Sequence, residues 1–231
     1  MISSLKKSKT GMVGVAIVLL VVLMAAASGI LTPYDPAKQD LYHKLAGPIW
    51  SGGTGEHLLG TDQLGRDILS RIMYGSRVTL LVGFSGTVCA GLLGVTLGAI
   101  AGYFGKWADV VIMRIVDIQL SFPFILLALF IAAVLGRSLA NVILIAAISN
   151  WVNYARLVRG EILAVKEMEY IEAIRSVGAK DGRIVLFHVI PNVISPVIVQ
   201  ATLGMARIIT MEASLSFLGL GVPVEIATWG R

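Results

Sequence analysis

Few side chains in this sequence could perform a chemical reaction. Ser85, Ser149 and Ser214 lie in or beside apolar runs, and those runs contain no histidine that could act as a base for the hydroxyl. The pair Gly105-Lys106 is followed by tryptophan, and no glycine lies five residues before it, so it does not form a phosphate-binding loop. These patterns predict a protein that is not an enzyme and has no catalytic residues.

Metal and redox chemistry have equally little support. Cys89 is the single cysteine, so the chain forms no internal disulfide and has no zinc-ligand spacing. His43 and His57 lie in a polar stretch with no further ligands at a suitable spacing. We expect Cys89 to pack in a helix, both histidines to be ordinary loop residues, and the chain to hold no metal and no cofactor of its own.

The most patterned polar stretch covers residues 169–192, EYIEAIRSVGAKDGRIVLFHVIPN. Its first part, 169–177, predicts a short amphipathic helix, and Gly178 predicts its end because glycine accepts a positive φ. A polar connection over 179–183 and a new helical start over 184–190 follow, with Pro191 in the first turn of the next helix. The apolar face of the short helix is predicted to contain Tyr170, Ala173, Ile174 and Val177. Such a helix suits a groove on a partner protein or the lipid surface, and the residues alone leave both open.

These residues must be positioned by elements that lie in a membrane. Apolar residues make up 56% of the chain and charged residues only 14%, against about a quarter charged in soluble proteins. The long apolar runs alternate with short charged stretches, which is typical of an all-α integral membrane protein. The net charge of +5 then indicates contact with anionic lipid rather than with nucleic acid.

The apolar runs predict five transmembrane helices. The first apolar run, together with the lysines before it, resembles a signal peptide. It is too long for one and lacks a clear cleavage site, so we expect it to be retained. The predicted spans are 12–31, 78–104, 118–135, 142–157 and 189–211. A polar segment over 32–77, a charged connection over 105–117 and a tight turn over 136–141 join them.

The distribution of lysine and arginine predicts a cytoplasmic N-terminus. The segments predicted to be cytoplasmic contain Lys6, Lys7, Lys9, Lys106, Arg114, Arg159, Lys166, Arg175, Lys180 and Arg183. The outer turn after the third span contains only Arg137. The segment 32–77 is also basic but is balanced by acidic residues, and it could instead fold on the membrane surface.

The second span contains Gly94, Gly98 and Gly102, which are four residues apart and share one helix face. Small residues at this spacing allow two helix backbones to approach closely. We therefore expect a helix-packing seam here, although glycine is also simply common in membrane helices.

The stretch 169–192 resembles the EAA loop of permease subunits in bacterial ABC importers. Glu172, Ala173, Gly178 and Pro191 match that pattern at its spacing, while Ile174 replaces its second alanine. His188 replaces an isoleucine three positions before the proline, and His-x-x-Pro-Asn is typical of the dipeptide, oligopeptide and nickel branch. Three further segments, 59–71, 114–123 and 214–230, resemble the second permease of these importers.

The resemblance implies a type I ABC importer permease fold with five transmembrane helices here and a sixth expected beyond Trp229-Gly230, so we expect a truncated sequence. It implies an N-terminal part over 1–77 with a cytoplasmic tail, the first span and an extracytoplasmic segment. It also implies a transmembrane domain over 78–231 whose coupling loop covers 158–191.

The resemblance further implies a subunit of an ATP-driven, binding-protein-dependent importer of di- or oligopeptides in a bacterial or archaeal plasma membrane, or alternatively of nickel or another small solute. Its partners would be a second permease, two ATP-binding subunits that hold ATP and Mg²⁺, and an extracytoplasmic solute-binding protein. The residues expected to couple it to the ATPases are Glu172, Ala173, Arg175, Gly178, Asp181 and Pro191.

Ionisable residues at membrane depth indicate function by default. Arg207 and Glu212 lie late in the fifth span and could line the solute pathway and contact the charged ends of a peptide. The alternatives are snorkelling to the outer surface and pairing with the partner permease. Asn150, Asn153 and Tyr154 are expected to form hydrogen bonds between helices.

Overall fold

The computed structural model describes residues 8–53 and 55–231, and within them it is helical and has no β-strand. Lys6 and Lys7, in the predicted cytoplasmic tail, lie outside the described residues. The helices are α1 (Lys9–Leu31), α2 (Ile68–Phe104), α3 (Lys106–Leu120), α4 (Phe124–Leu135), α5 (Leu139–Val165), α6 (Glu169–Ser176), α7 (Asp181–Ile184) and α8 (Ile190–Phe217). A π-helical turn, Val185–Val189, joins α7 to α8, and two short 3₁₀ turns, Leu41–His43 and Ile49–Ser51, lie between α1 and α2.

Three helical segments of the described chain are long and apolar enough to cross a membrane, namely Lys9–Leu31, Ile68–Phe104 and Asp181–Phe217. Helices α3 and α4 together form a fourth candidate. Helix α5 has 27 residues but is less apolar, because Asn150, Asn153 and Arg156 interrupt its apolar residues. The helical, multi-pass character is confirmed, whereas the number of five spans is not.

The predicted third span differs most from the structure. Helices α3 and α4 are bent by 91° at their junction, so the chain does not cross as one helix over 118–135. Pro123 lies at this break and both removes a backbone donor and disfavours helix at the preceding residue. The predicted charged connection is helical as α3, and its two carboxylates pair with arginines of α5: Asp109 with Arg159, and Asp117 with Arg156.

The chain forms two compact units, Met1–Leu81 with Val222–Arg231 and Val82–Gly221. In the first unit α2 begins at Ile68, well before the predicted start at 78. Buried Arg71 explains this difference, because it donates to the carbonyls of Pro36 and Arg231, each at 3.1 Å. These bonds satisfy a polar side chain that would otherwise oppose a helical start.

In the second unit α5 is the central helix and packs against α8, α4 and α3. The predicted glycine seam of α2 lies against it. A Cβ added at Gly98 would lie 2.6 Å from the carbonyl oxygen of Ala155, and one at Gly94 would lie 2.5 Å from the Cβ of Tyr154. A Cβ at Gly102 would lie 3.0 Å from the Cβ of Ile162. The two backbones are therefore in close contact along this seam.

The helical run that ends at Phe217 begins at Asp181 and is continuous for 37 residues. The prediction of a polar connection over 179–183 is thus wrong from Asp181 onward. Pro191 lies in the first turn of α8, as predicted, although the helical run already begins before α8. The π-helical turn just before Pro191 widens the hydrogen-bond ladder at the point where proline provides no donor. This local widening explains how the helix passes the proline.

Candidate functional site

Helix α6 is held against its unit by one buried residue. Ile171 is 0% exposed and packs in a cluster with Val158 and Ile162 of α5 and Ile184 of α7, and Ile174 contacts the same cluster. The predicted apolar face is therefore shifted, because Ile171 was missing from it and Val177 is 90% exposed. Ile171 and Ile174 are three residues apart, so they lie on one face of this two-turn helix, and both contact the cluster.

Gly178 ends α6 as predicted, with a φ of +86°. Its N–H donates to Arg175 O at 3.0 Å, and the N–H of Ala179 donates to Ile174 O at 3.3 Å. This pair of bonds satisfies carbonyls at the end of the helix, as in a left-handed helix cap. No atom lies within 4 Å of a Cβ placed at Gly178, so the conformation, not the space, requires glycine.

Tyr103, at the end of α2, joins the two sides of this turn. Its hydroxyl donates to Asp181 Oδ1 at 2.6 Å and accepts from Arg175 Nη2 at 3.4 Å, and the Arg175 guanidinium lies 5.9 Å from the ring centroid. Asp181 and Arg175 thus anchor the turn to α2. The sequence did not single out Tyr103, and its only signal was a tyrosine at the inner end of an apolar run.

The outer surface of the loop is open. Glu172 and Ala173 are exposed on α6. A groove of about 520 Å³ lies beside them and is lined by Ala173, Ile174, Val177, Gly178, Ala179, Arg183 and His188. The structure therefore brings Ala173 and Gly178 to one groove, while Pro191 is exposed further along the helical run. An apolar groove with a basic side chain can receive an amphipathic or acidic surface.

The two ionisable residues of the last span occupy different environments. Glu212 is 0% exposed, and its Oε1 accepts from the hydroxyl of Ser216 at 2.7 Å, while Oε2 has no partner in the described chain. Glu212 is therefore enclosed by its own chain in this structure and does not extend to the surface. Helix packing encloses it because it lies on the same face of α8 as buried Ile208 and Leu215.

Arg207 is exposed and lies at the edge of two recesses. Asn150 and Asn153 line one of them. The expected bonds between helices are not seen at Asn150 and Tyr154. Asn150 Nδ2 donates to Ala146 O of its own helix at 2.9 Å, and Tyr154 Oη has no partner in the part of the chain described. Asn150 can bond within its helix because residues four apart lie on one face.

The segment between α1 and α2 contains two histidine–carboxylate pairs, both with 2.9 Å between Nδ1 and the carboxylate. One joins His57 to buried Asp67, and the other joins His43 to exposed Asp40. The hydrogen bond to Asp40 raises the pKa of His43 above its ordinary value. Among residues 8–53 and 55–231 no group of three or more His, Cys, Asp or Glu side chains is placed to hold a metal.

Comparison with known proteins covers almost the whole chain. Residues 94–231 match the family model described as binding-protein-dependent transport system inner membrane component, and residues 1–48 match the N-terminal TM domain of oligopeptide transport permease C. The dipeptide transport system permease protein DppC of Alkalihalophilus pseudofirmus is 44% identical over 98% of this chain and 73% of its own length. The oligopeptide transport system permease protein OppC of Bacillus subtilis is 37% identical over 97% of this chain and 72% of its own length.

A solved structure of the MetNI methionine ABC transporter, in an inward-facing conformation, is also similar. Its TM-score is 0.53 at 24% identity, and the match covers 64% of this chain and 74% of the solved chain. At this identity the likeness shows a shared fold and nothing further.

Proposed function

Because this chain belongs to the family of binding-protein-dependent transport system inner membrane components, we propose that it is the permease subunit of an ATP-driven importer of di- or oligopeptides. The observation that carries the proposal is the match along nearly the whole chain to relatives named as dipeptide and oligopeptide permeases. The fold proposed is that of a type I ABC importer permease, which the likeness to the methionine transporter supports.

We propose that a second permease, two ATP-binding subunits and an extracytoplasmic solute-binding protein complete the importer. ATP and Mg²⁺ would be held by the ATP-binding subunits, and the permease would need no cofactor. The open groove beside α6 supports a docked partner on this loop. Exposed Glu172 could there accept a charge-assisted hydrogen bond from an arginine or a backbone amide of that partner.

The coupling role proposed for the loop follows from its attachments. Ile171 fixes α6 to the packed cluster, and Gly178 sets the direction in which the chain turns. Tyr103 holds Arg175 and Asp181 on either side of that turn. A force applied to Glu172 and Ala173 on the surface would therefore reach the membrane helices through a turn that is anchored at both ends.

The proposed substrate class is tested by deleting the gene and measuring uptake of radiolabelled dialanine and of ⁶³Ni²⁺ by whole cells. We expect dialanine uptake to fall to the level of a strain lacking the solute-binding protein, and nickel uptake to remain at the parental rate. Restoring the gene should restore dialanine uptake. Loss of nickel uptake with unchanged uptake of dialanine would instead assign the chain to the nickel importers.

The cytoplasmic N-terminus is a proposal that rests on the distribution of basic residues. In a Cys89→Ser background, cysteine replaces either Arg137, in the turn between α4 and α5, or Lys180, in the turn before α7. We expect an impermeant thiol reagent to label intact cells at position 137 and to label position 180 only after the membrane is permeabilised. Labelling of position 180 but not 137 in intact cells would show the opposite orientation, with the N-terminus outside the cell.

A further inference from the structure

Arg207 is a positive charge at membrane depth without an acidic partner. It lies in the candidate membrane-spanning run Asp181–Phe217, about 15 Å along the helix axis from the end of that run at Phe217. The six ion pairs of the described residues do not include it. An unpaired guanidinium at this depth is costly, so its position calls for an anionic partner that the chain itself does not supply.

The recess beside Arg207 is lined by polar side chains that are held in place. It has a volume of about 200 Å³, and Gln119, Ser149, Asn150 and Asn153 line it together with Arg207. Gln119 is fixed from two sides, since it donates to Ile148 O at 2.6 Å and accepts from the indole of Trp151 at 3.0 Å.

Ser149 provides an independent sign of a ligand. It is 3% exposed, lines the recess, and its hydroxyl has no hydrogen-bond partner among the described residues. A buried hydroxyl is normally paired, because leaving it unpaired costs about 1–3 kcal/mol. Rotation of the Ser149 side chain toward the recess would let a ligand oxygen there satisfy the hydroxyl.

The break between α3 and α4 lies beside the same recess. Leu120, Phe122 and Phe124, on both sides of the 91° bend, line the recess, and the first turn of α4 has no side-chain cap. The N-terminal end of a helix carries a partial positive charge, which adds to that of Arg207. In some transporters the N-terminal ends of discontinuous membrane helices point at the carboxylate of the substrate.

We propose that the recess of Arg207, Ser149, Asn150 and Asn153 receives the terminal carboxylate of a peptide during its passage through the membrane. This inference rests on the proposed function. The guanidinium would bind the two carboxylate oxygens side by side, and the Ser149 hydroxyl would donate to one of them. Arg207 then determines which solutes cross by requiring a negative charge, separately from the selection made by the solute-binding protein.

The test compares dialanine with its C-terminal amide. The importer is purified from cells that carry Arg207→Gln in the chromosomal gene, reconstituted in vesicles, and supplied with solute-binding protein loaded to saturation with either peptide. We expect the ratio of dialanine to dialanine-amide uptake to fall about tenfold in Arg207→Gln, and to fall less in Arg207→Lys, which keeps the charge without the bidentate geometry. Preferences of the solute-binding protein cancel, because each variant is compared with the parent on the same loaded protein.

Arg137→Gln is the matched control, since it removes an arginine from the same unit outside the recess and should leave the ratio unchanged. Retention of the ATP-binding subunits reports whether the Arg207→Gln importer still assembles. If it does not, the uptake ratio of Arg207→Lys is the measurement that tests the proposal. An unchanged ratio in both variants, or an equal loss of both peptides, overturns the carboxylate site. Failure of the parental importer to move either peptide overturns the proposed function instead.

Discussion

Replacing Gly178 with valine is expected to abolish ATP-driven uptake while leaving membrane insertion intact. Gly178 has a φ of +86°, and a residue with a Cβ pays about 1–2 kcal/mol in the left-handed region, with more for a β-branched side chain. The turn would relax to another conformation, and the exposed edge of α6 would no longer present Glu172 and Ala173 in one orientation. Uptake by the complete importer and retention of the ATP-binding subunits on the solubilised complex measure the effect.

Gly182→Val is the matched control for this substitution. Gly182 lies in the same loop, also has nothing within 4 Å of an added Cβ, and does not have a positive φ. It should therefore retain most of the uptake. Gly178→Asn should fall between the two, because asparagine tolerates the left-handed region better than valine. Full activity of Gly178→Val would remove the turn from the coupling proposal.

The double substitution Gly94→Ala and Gly98→Ala is expected to destabilise the folded protein, by about 1–3 kcal/mol for each added methyl group. At both positions the new Cβ would meet the backbone or Cβ of α5, which cannot move without displacing the whole helix. Thermal stability in detergent, followed by size-exclusion chromatography, measures the loss. We expect the variant to have a lower midpoint and a smaller yield of intact complex.

Gly91→Ala is predicted to act in the opposite direction. Its added Cβ would lie 3.8 Å from Tyr154 Cε1, an ordinary contact, and alanine is favoured over glycine in a helix by about 1 kcal/mol. The same chemical change on the same helix should therefore stabilise at one position and destabilise at the others. Equal midpoints for the double variant and for Gly91→Ala would contradict the close approach of α2 to α5.

Local patterns in the sequence predicted the features that depend on local physics. The left-handed end of α6 at Gly178 follows from a property of glycine itself, and the glycine spacing in α2 follows from the helical repeat. The helical, multi-pass class follows from the length of the apolar runs. Each of these needs only a few neighbouring residues, so the sequence was sufficient.

Features that depend on distant partners were not predictable in the same way. The charged stretch before the third span is helical, and its Asp109 and Asp117 meet arginines that lie far along the chain in α5. Ile171, not Val177, faces the core because the position of α7 decides which side of α6 is covered. Tyr103 acquires its role only once Arg175 and Asp181 are brought to it in space.

The unbroken helix Asp181–Phe217 makes the proposed coupling mechanical. Arg207 lies about 39 Å from Asp181 along its axis, so the helix can act as a lever that reaches from the loop into the membrane. A tilt of about 3° around Asp181 would displace Arg207 by about 2 Å, which is enough to make or break a hydrogen bond. The π-helical turn and Pro196 lie between Asp181 and Arg207. A helix bends easily at such positions, so they would determine how much of the tilt at Asp181 reaches the recess.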